Sequence, residues 1–398
     1  MFKIKKNLFK SYVGNIDIKI SPNFLFEKSI CQFLDELSKK IISDREAKKF
    51  SDLISFAFWC RKSNIDLISS NFEEKNLRVG RGLIFHIAPS NVPINFAFSF
   101  VFGLLSGNCN VVRVPSKPFK QVDILFRVLN NIFKKKKFKN IKKNNLLVKY
   151  ERNDFITKHF SSICSVRIIW GGDKTINELR KFSILPSSFD ITFADRYSFT
   201  MINSDKIIKL NPNNLKILSE RFYNDTFLVD QNACSSPHLV YWVGKNIKDG
   251  KKIFWKSFNS IVEKKYHLEK KGIFDKFAHP QEDFLELKNF KNVYTHKNYV
   301  YRINLNKIDK NIEKLRGKWG YFYEYDSKNI NEIFNYISPK YQTLSYFGFE
   351  KDYLVNLIKK KKLLGIDRVV PIGETLNIGM IWDGFDLAKV LSRVIEIK

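Results

Sequence analysis

A single cysteine, Cys234, lies in a short polar stretch whose residue types could carry out nucleophilic chemistry. The stretch, residues 230–237, reads DQNACSSP, and it separates the apolar run Phe227–Val229 from a predicted strand, His238–Val243. A thiol attacks as thiolate, so it needs partial exposure and either a positive local field or a nearby base. Small and polar neighbours leave room for a substrate. The other interpretation is a buried structural thiol, because free cysteine is among the most buried residue types, and the local residues leave both interpretations open.

A second stretch, upstream, has the pattern of a strand, a helix and a further strand. Residues 80–93 predict an apolar strand that runs into a turn, and an apolar helix should follow from Ile94 to Leu105. The tripeptide Ser106-Gly107-Asn108 should end that helix. The next strand, Asn110–Val114, ends in Pro115-Ser116-Lys117.

These two stretches together resemble the aldehyde dehydrogenase superfamily. There, a Pro-x-Asn-x-Pro turn, a Gly-Asn turn and a Lys-Pro-Ser-like strand end come, in that order, before a Gln-x-x-Cys-type nucleophile. The chain is more closely similar to the LuxC family, the fatty acyl-CoA reductases of bacterial bioluminescence systems. That similarity extends over nearly the whole length and includes NACSSP at 232–237, GIDRVVPIG at 365–373 and WDG at 382–384.

The fold that this resemblance implies is α/β and aldehyde dehydrogenase-like, with a Rossmann-type cofactor domain and a second α/β domain that carries the nucleophilic cysteine. The sequence agrees, because strands at Leu83–Ala88, Asn110–Val114, Ser165–Trp170 and Ile191–Ala194 alternate with helices and predict a parallel sheet. We expect an N-terminal helical segment over 1–75, a dinucleotide-binding domain over 76–204, a catalytic domain over 205–365 and a C-terminal segment over 366–398 that packs back on the fold.

The cofactor implied is a nicotinamide dinucleotide, and we expect NADPH. Gly171, Gly172 and Asp173 occupy the place of the superfamily's glycine-rich turn, between a strand and a helix whose N-terminus offers free N–H groups. Ser116 and Lys117 follow the end of the strand Asn110–Val114. NAD-preferring relatives often have glutamate at the position of Lys117; a lysine there, like nearby Arg113, would attract a 2′-phosphate. The alternative interpretations are that Gly171 and Gly172 form an ordinary turn and that Lys117 and Arg113 are simply exposed cations.

The chemistry that the resemblance implies is reduction of an acyl thioester, a fatty acyl-CoA, to aldehyde through an acyl group bound to Cys234. By resemblance, the side-chain amide of Asn91 and the backbone N–H of Cys234 would hold the oxyanion, although asparagine also suits a turn between two prolines. The general-base glutamate of hydrolytic aldehyde dehydrogenases aligns with Thr192, which favours acyl transfer over hydrolysis. Asp195 could be a displaced base, and His238 is an outside candidate for proton transfer.

Two rival functions stay open: an NAD(P)-dependent aldehyde dehydrogenase that makes carboxylate, and a non-catalytic basic scaffold that binds polyanions. The formal charge is +29 and the pI about 9.7, but lysine is spread along the chain, and the dense run Lys134–Lys137 suits a solvated helix end. The expected partners are therefore acyl-CoA or an acyl-carrying protein and a second copy of the chain, with no nucleic acid.

Cysteine and histidine spacing indicates neither disulfides nor a metal site. The five cysteines form no CxxC pair, and His238, His279 and His296 have no H-x-x-x-H spacing. A reducing, cytoplasmic location is the resulting expectation. The longest apolar run, Val92 to Leu105, is shorter than the roughly 20 residues that cross a bilayer, so no membrane span is expected.

Overall fold

The computed structural model describes residues 8–73, 76–89, 92–268, 272–276, 290–308 and 310–398. The chain divides into two compact units. Unit 1 lies within Met1–Ala194 and Phe385–Lys398, and unit 2 is Asp195–Gly384. The N-terminal helices thus belong to the same unit as the first sheet, whereas the expected four-part division of the chain stays a prediction.

Unit 1 is built on a six-stranded sheet with the order β1-β5-β4-β3-β6-β7. Strands β3 to β7 run parallel, and β1 joins β5 antiparallel at the edge. The strands of this sheet are β1 Ser11–Gly14, β3 Leu83–Ile87, β4 Cys109–Arg113, β5 Asn145–Lys149, β6 Val166–Trp170 and β7 Phe189–Phe193. Unit 1 also contains β2 Leu77–Gly80, β16 Phe385–Asp386 and β17 Ser392–Ile395, which lie outside the sheet.

The helices of unit 1 are α1 Lys28–Ser43, α2 Ser51–Trp59, α3 Lys62–Ser70, α4 Asn95–Leu105, α5 Lys120–Ile132, α6 Lys139–Asn144, α7 Asp154–Ile163, α8 Asp173–Arg180 and α13 Leu387–Val390. Helices α4 to α8 connect the parallel strands β3 to β7, as crossover connections require. The apolar helix α4 is buried along most of its length, as its composition predicts. The apolar helix α2 is only partly buried: Leu53, Phe56 and Ala57 are buried, whereas Phe58 is exposed.

The strand order creates a switch point between β3 and β6. From β3 the chain winds outward through β4 and β5 on one side, and through β6 and β7 on the other. In doubly wound sheets, ligands bind in the crevice outside the carboxyl ends of the strands at such a point. The turns after β4 and β6 therefore lie at the edge of the sheet where a ligand is expected.

A row of buried polar side chains, joined by hydrogen bonds, crosses this sheet. Trp170 Nε1 donates to Ser99 Oγ (3.0 Å), which contacts His86 Nδ1 (2.7 Å). His86 Nε2 contacts Asn110 Oδ1 (2.9 Å), and Asn110 Nδ2 donates to Asn145 Oδ1 (2.8 Å). Because an amide oxygen can only accept, His86 carries a proton on Nε2. Burial lowers the pKa of His86 to about 4, so the imidazole is neutral at pH 7.

The Gly-Asn turn after α4 has a structural role in unit 1. Gly107 has φ +79°, and a Cβ there would lie 2.1 Å from the carbonyl oxygen of Asn23. Asn108 Oδ1 accepts from the Gly82 amide (3.2 Å), and its Nδ2 donates to the Leu391 carbonyl (2.9 Å). The turn thus ties the start of β3 to the C-terminal segment, where β17 pairs antiparallel with β2.

Unit 2 contains a seven-stranded sheet with the order β10-β11-β12-β9-β8-β13-β14. All neighbours are parallel except β10, which joins β11 antiparallel. The bounds are β8 Tyr197–Asn203, β9 Pro237–Val243, β10 Phe290–His296, β11 Val300–Leu305, β12 Tyr321–Ser327, β13 Tyr341–Phe347, β14 Arg368–Pro371 and β15 Ile381–Trp382.

Helices cover the second sheet and complete its two apolar cores. They are α9 Ser204–Ile207, α10 Pro212–Phe227, α11 Ile247–Lys265 and α12 Lys351–Lys361. One core packs α10 and α11 against the sheet through aromatic rings, among them Phe222 and Phe258, whose centroids are 5.0 Å apart. The other core lies on the α12 side and includes Leu344 and Leu354.

The predicted α/β architecture is confirmed, and the four strands predicted in unit 1 all form within a residue or two of their expected bounds. The run Lys134–Lys137 is exposed, and Lys135 and Lys137 both pair with Glu36 of α1. Among the described residues, no helix is long and apolar enough to cross a membrane.

Candidate active site

Cys234 lies in the connection between α10 and β9, at the amino-terminal edge of the unit 2 sheet. Two successive turns shape this connection: the Asn232 amide donates to the Val229 carbonyl (2.9 Å), and the Ser236 amide donates to the Ala233 carbonyl (3.0 Å). Cys234 is half-buried, whereas Cys60, Cys109 and Cys164 are buried. Cys234 is therefore a partly exposed residue on a tight loop.

Gln231 fixes this loop to the sheet. Its side chain is fully buried, and its Nε2 donates to the carbonyls of Pro237 (2.9 Å) and Tyr321 (3.1 Å). Its Oε1 accepts from the amides of Gly320 (3.2 Å) and Tyr321 (3.1 Å). An amide side chain can both donate and accept, so glutamine satisfies four backbone groups at the starts of β9 and β12. The backbone of Gln231 has φ +59°, which is uncommon for a residue with a side chain.

The first residues of β8, with Arg196 just before them, hold Cys234 from the other side. Ser198 Oγ donates to the Cys234 carbonyl (2.7 Å) and accepts from the Thr343 amide (3.1 Å). The backbone N–H of Arg196 lowers the pKa of the Cys234 thiol. The guanidinium of Arg196 itself bonds the Tyr341 carbonyl (2.9 Å) and pairs with Asp367. The Cys234 backbone is thus held by β8, which is itself bonded to β13.

Burial, one backbone N–H and three charged groups of unit 2 set the pKa of the Cys234 thiol. Burial raises the pKa of the Cys234 thiol above its usual value, and the carboxylates of Asp383 and Asp195 act in the same direction. The Arg196 N–H and the guanidinium of Arg316 lower this pKa. The net effect is a raised pKa, so most of the thiol is protonated at neutral pH.

Arg316 is positioned by its own loop and by two partners. Its Nη1 lies 2.5 Å from Asp195 Oδ1, and its Nε donates to the Glu313 carbonyl (3.1 Å). The next residue, Gly317, accepts a hydrogen bond from His238 Nδ1 (3.0 Å) through its carbonyl. His238 is buried, and its ring stacks on Tyr197. This contact gives His238 a structural role, which links the Arg316 loop to β9.

Two buried phenols lie at the same edge of the sheet. The rings of Tyr197 and Tyr341 are 5.3 Å apart, and neither hydroxyl has a hydrogen-bond partner in the part of the chain that the structure describes. Burial raises the pKa of both groups, so both stay protonated at neutral pH. They are therefore potential donors to a water or ligand atom.

The C-terminal motif GIDRVVPIG and the residues after it are bonded to α10, which in turn is bonded to the cysteine loop. The buried carboxylate of Asp225 accepts from the amides of Gly373 (2.6 Å) and Thr375 (3.0 Å), and the Asp225 carbonyl accepts from Ser236 Oγ (2.7 Å). Burial raises the pKa of Asp225 to about 6. Arg368 donates to the Thr375 carbonyl (2.9 Å) and lies over the Trp382 ring. The motif over residues 365–375 thus packs behind the cysteine loop, a role that the sequence alone did not indicate.

The predicted cofactor residues lie in unit 1, in the turns after β4 and β6. Arg113 ends β4 with its guanidinium 4.8 Å from the ring centre of Tyr150, Ser116 is half-buried and Lys117 is exposed. Gly171 and Gly172 separate β6 from α8, where Gly172 is the N-cap and Asp173 is the first residue. Both turns lie at the carboxyl edge of the sheet, on either side of β3.

The predicted oxyanion residue Asn91 lies outside the described residues. Within the described part of the chain, no group of three or more His, Cys, Asp or Glu side chains could hold a metal ion, and the expectation of no metal stays a prediction. Sequence reasoning missed Ser198, Gln231 and Arg316 as parts of the site. Gln231 lay inside the quoted motif, but the partners of Ser198 and Arg316 are distant in sequence, and no local pattern marks them.

Comparison with solved structures defines the class of fold. Aldehyde dehydrogenase 21 from Physcomitrella patens, in complex with the reaction product succinate, matches 88% of this chain and 79% of its own length, with a TM-score of 0.63 and 10% identity. A glyceraldehyde-3-phosphate dehydrogenase from Methanocaldococcus jannaschii, complexed with NADP, matches 92% of this chain and 86% of its own length, with a TM-score of 0.59 and 11% identity. Proline utilization A of Bradyrhizobium japonicum has a TM-score of 0.62 at 12% identity, over 92% of this chain; the chain spans only 42% of that longer protein.

The chain therefore has the aldehyde dehydrogenase fold. A comparison with curated protein sequences gave no match. The family model described as acyl-CoA reductase (LuxC) matches residues 48–394. The chain belongs to this family of acyl-CoA reductases, which confirms the resemblance that the sequence motifs indicated.

Proposed function

We propose that this protein reduces an acyl thioester to an aldehyde with NADPH, through an acyl group bound to Cys234. The observation that carries the proposal is the environment of Cys234. It is a half-buried thiol on a loop fixed by Gln231 and Ser198, with a backbone donor and a guanidinium acting on the sulfur. The buried cysteines of unit 1 lack partial exposure, which a nucleophile needs.

The first half of the reaction transfers the acyl group to the enzyme. The Cys234 thiol loses its proton, and the thiolate forms a bond to the thioester carbonyl carbon. The tetrahedral oxyanion then collapses, the bond to the donor sulfur breaks, and the donor leaves as a thiolate that takes up a proton. The resemblance assigns the oxyanion to the Asn91 amide and the Cys234 N–H, and losing one such donor typically costs about 100- to 1000-fold in rate.

The second half returns Cys234 to its starting state. A nicotinamide cofactor, when bound, supplies the hydride that reduces the acyl carbon. Cys234 then releases the aldehyde as its S–C bond breaks and the electron pair returns to sulfur. The Arg196 N–H and the Arg316 guanidinium stabilise the thiolate that this step regenerates.

The turn after β6 fits a phosphate-bearing cofactor. A Cβ on Gly172 would meet no atom within 4 Å, and a Cβ on Gly171 would only touch Thr175 at 3.4 Å. Neither glycine has a positive φ. The local fold therefore does not require glycine at these positions, whereas close approach of a ligand to the N-terminus of α8 would. We assign Gly171, Gly172 and Asp173 to this contact.

The turn after β4 supports NADPH over NADH. Lys117 is exposed with no acidic partner among the described residues, and Arg113 lies four residues before it on the same strand end. Two cations beside Ser116 would attract a 2′-phosphate and offer no carboxylate to a 2′-hydroxyl. The solved relative complexed with NADP has the same fold.

The alternative product, a carboxylate, requires a base that activates water against the enzyme thioester. Asp195, the candidate for a displaced base, has Oδ1 engaged by Arg316 at 2.5 Å. Thr192, at the position that the resemblance aligns with the usual glutamate, carries only a hydroxyl. These two observations favour reduction to aldehyde over hydrolysis.

The remaining assignments extend this proposal. The acyl donor is acyl-CoA, as the family description indicates, or an acyl-carrying protein, and the enzyme forms a homo-oligomer. The five cysteines are all unpaired, which supports a reducing, cytoplasmic location.

The test is oxidation of NADPH, followed by its absorbance, with a panel of acyl-CoAs of increasing chain length. We expect turnover by the wild type and loss of at least about 1000-fold in Cys234→Ala, because the substitution removes the nucleophile. Cys31→Ala, which removes a half-buried thiol from unit 1, is the matched control and should keep activity. Equal turnover in Cys234→Ala, or carboxylate as the product from aldehyde, would refute the proposal.

A further inference from the structure

The row of buried polar side chains that crosses the unit 1 sheet lies against helix α4, and the proposed reaction gives it no role. Its members are all buried: Asn145 of β5, Asn110 of β4, His86 of β3, Ser99 of α4 and Trp170 of β6. Within the strands, the neighbours of these residues on the same face of the sheet are apolar. A buried polar group is unfavourable unless it is hydrogen-bonded, so aliphatic side chains usually fill such a face.

The hydrogen bonds of the row give every side chain in it a defined orientation. Because His86 carries its proton on Nε2, its Nδ1 accepts, and the Ser99 hydroxyl is the donor of that contact (2.7 Å). The oxygen of Ser99 then accepts the indole N–H of Trp170 (3.0 Å). At the far end, Asn145 Nδ2 donates to the Ile141 carbonyl (2.7 Å). The bonds therefore all donate in one direction, from β6 toward β5, and Trp170 is the first donor.

Helix α4 is shaped to accommodate the row. A Cβ on Gly103 would lie 1.9 Å from Asn110 Oδ1 and 3.1 Å from His86 Nε2. Gly103 has no positive φ, so the close approach of the helix to the row, and not the backbone conformation, requires glycine here. Glycine makes a helix interior less stable than alanine does. The row is thus kept although it weakens the helix that covers it.

The row ends beside the turn that we assign to the cofactor. Trp170 is the last residue of β6 and directly precedes Gly171 and Gly172. Its ring stacks on Phe193, at the end of β7, with the ring centres 3.8 Å apart. The Gly171 amide donates to the Phe193 carbonyl (3.2 Å). The end of β6 is therefore held by α4 through the indole N–H and by β7 through the indole ring, and the turn begins at the next residue.

We propose that Trp170 is a positioning residue for the dinucleotide and that Ser99 anchors it. This assignment rests on the proposed function, in which the turn Gly171-Gly172 approaches the cofactor. While the indole N–H is bonded, the turn is held in the conformation that binds. Without that bond, part of the binding free energy goes into ordering the turn, so affinity falls. Trp170 acts in this way through the turn, without contact with the cofactor.

The test replaces Trp170 by phenylalanine, which keeps a ring to stack on Phe193 and removes the indole N–H. We expect the dissociation constant for NADPH, measured by calorimetry, to rise about tenfold. Hydrogen exchange at the Gly171 amide, measured without cofactor, should be about tenfold faster. Ser99→Ala removes the acceptor of the same bond and should act similarly. The double variant should bind NADPH little more weakly than either single variant, because both remove one shared bond.

Trp255→Phe is the matched control. It removes another buried indole N–H, which donates to Glu324 Oε1 (2.8 Å) in unit 2. Its stability should fall, but its affinity for NADPH should stay within about twofold of the wild type, with unchanged exchange at Gly171. Turnover assays separate positioning from a general loss of structure: Trp170→Phe should raise the KM for NADPH and leave the KM for acyl-CoA and the alkylation of Cys234 by iodoacetamide near their wild-type values.

Weaker NADPH binding together with faster exchange at Gly171, both absent from Trp255→Phe, would support the proposal. Ser99→Ala tests it in the same way if Trp170→Phe does not fold. Wild-type affinity and exchange in folded Trp170→Phe, or an equal loss of affinity in Trp255→Phe, overturns it. Failure of the wild type to bind NADPH would instead refute the proposed function, and the exchange rates at Gly171 would still show whether Trp170 and Ser99 hold the turn.

Discussion

Replacing Gln231 by leucine tests whether the cysteine loop is held by one buried amide. Leucine has a similar volume and, like glutamine, would have to adopt the positive φ of +59° at this position, so the substitution removes mainly the polar atoms. Four hydrogen bonds to backbone groups are lost, and at about 1 kcal/mol net for each bond the loss in free energy of unfolding is about 4 kcal/mol. That is a large fraction of the stability of a typical domain, about 5–15 kcal/mol.

Asn232→Leu is the matched control, because Asn232 is the adjacent residue and carries the same amide. Its side chain is exposed and bonds the Asp230 carbonyl at 3.2 Å, so its loss should cost under about 1 kcal/mol. Urea unfolding gives the change in free energy for both variants. Hydrogen exchange at the Gly320 and Tyr321 amides reports the loop directly, and should be faster only in Gln231→Leu.

Gln231→Glu distinguishes hydrogen bonding from packing. One carboxylate oxygen can still accept from the Gly320 and Tyr321 amides, but the other would face the carbonyl oxygens of Pro237 and Tyr321. We expect low stability at neutral pH and partial recovery in acid, where the protonated carboxyl regains one donor. Stability of Gln231→Leu within about 1 kcal/mol of Asn232→Leu would refute the assigned role.

Three further predictions concern unit 1. Burial lowers the pKa of His86 from 6.5 to about 4, so the contribution of the neutral imidazole to the free energy of unfolding is complete above pH 6.5 and is lost as pH falls toward 4. The loss is about 3 kcal/mol, and the stability of His86→Leu should not show it when the pH is lowered. Gly172→Ala should fold normally yet bind the dinucleotide more weakly by calorimetry, whereas Gly107→Ala should lower the melting temperature, because only Gly107 has a positive φ and a Cβ clash. Lys117→Glu should raise the KM for NADPH much more than the KM for NADH in steady-state assays, and an equal effect on both would contradict the assignment.

The fold could be predicted where strands are apolar and close in sequence. Strands β3, β4, β6 and β7 each follow a helix or a turn with clear signals, and they were expected within a residue or two. Strand β5 was missed, because Leu146–Val148 is a short apolar run directly after the lysine-rich α6. Strand β1 pairs with β5 over more than a hundred residues, and no local pattern specifies such a partner.

The residues of the candidate site could likewise be predicted only where a local pattern marks them. Cys234 was predicted from its polar stretch together with the family resemblance, and Gly171 and Gly172 from their place between a strand and a helix; these assignments stay predictions. The ion pair of Asp195 with Arg316 and the His238 contact to Gly317 depend on which loops meet at the edge of the unit 2 sheet. His86 was read as part of an apolar strand, but its partners Ser99 and Asn110 come from α4 and β4.

The central claim is that Cys234 carries the acyl group. The most direct measurement is mass spectrometry of the protein after incubation with acyl-CoA in the absence of reduced nicotinamide, followed by mapping of the modified peptide. The account predicts one acyl group on the peptide that contains Cys234, and its release as aldehyde when NADPH is added. An acyl group on another residue, or none while aldehyde is still formed, would contradict it.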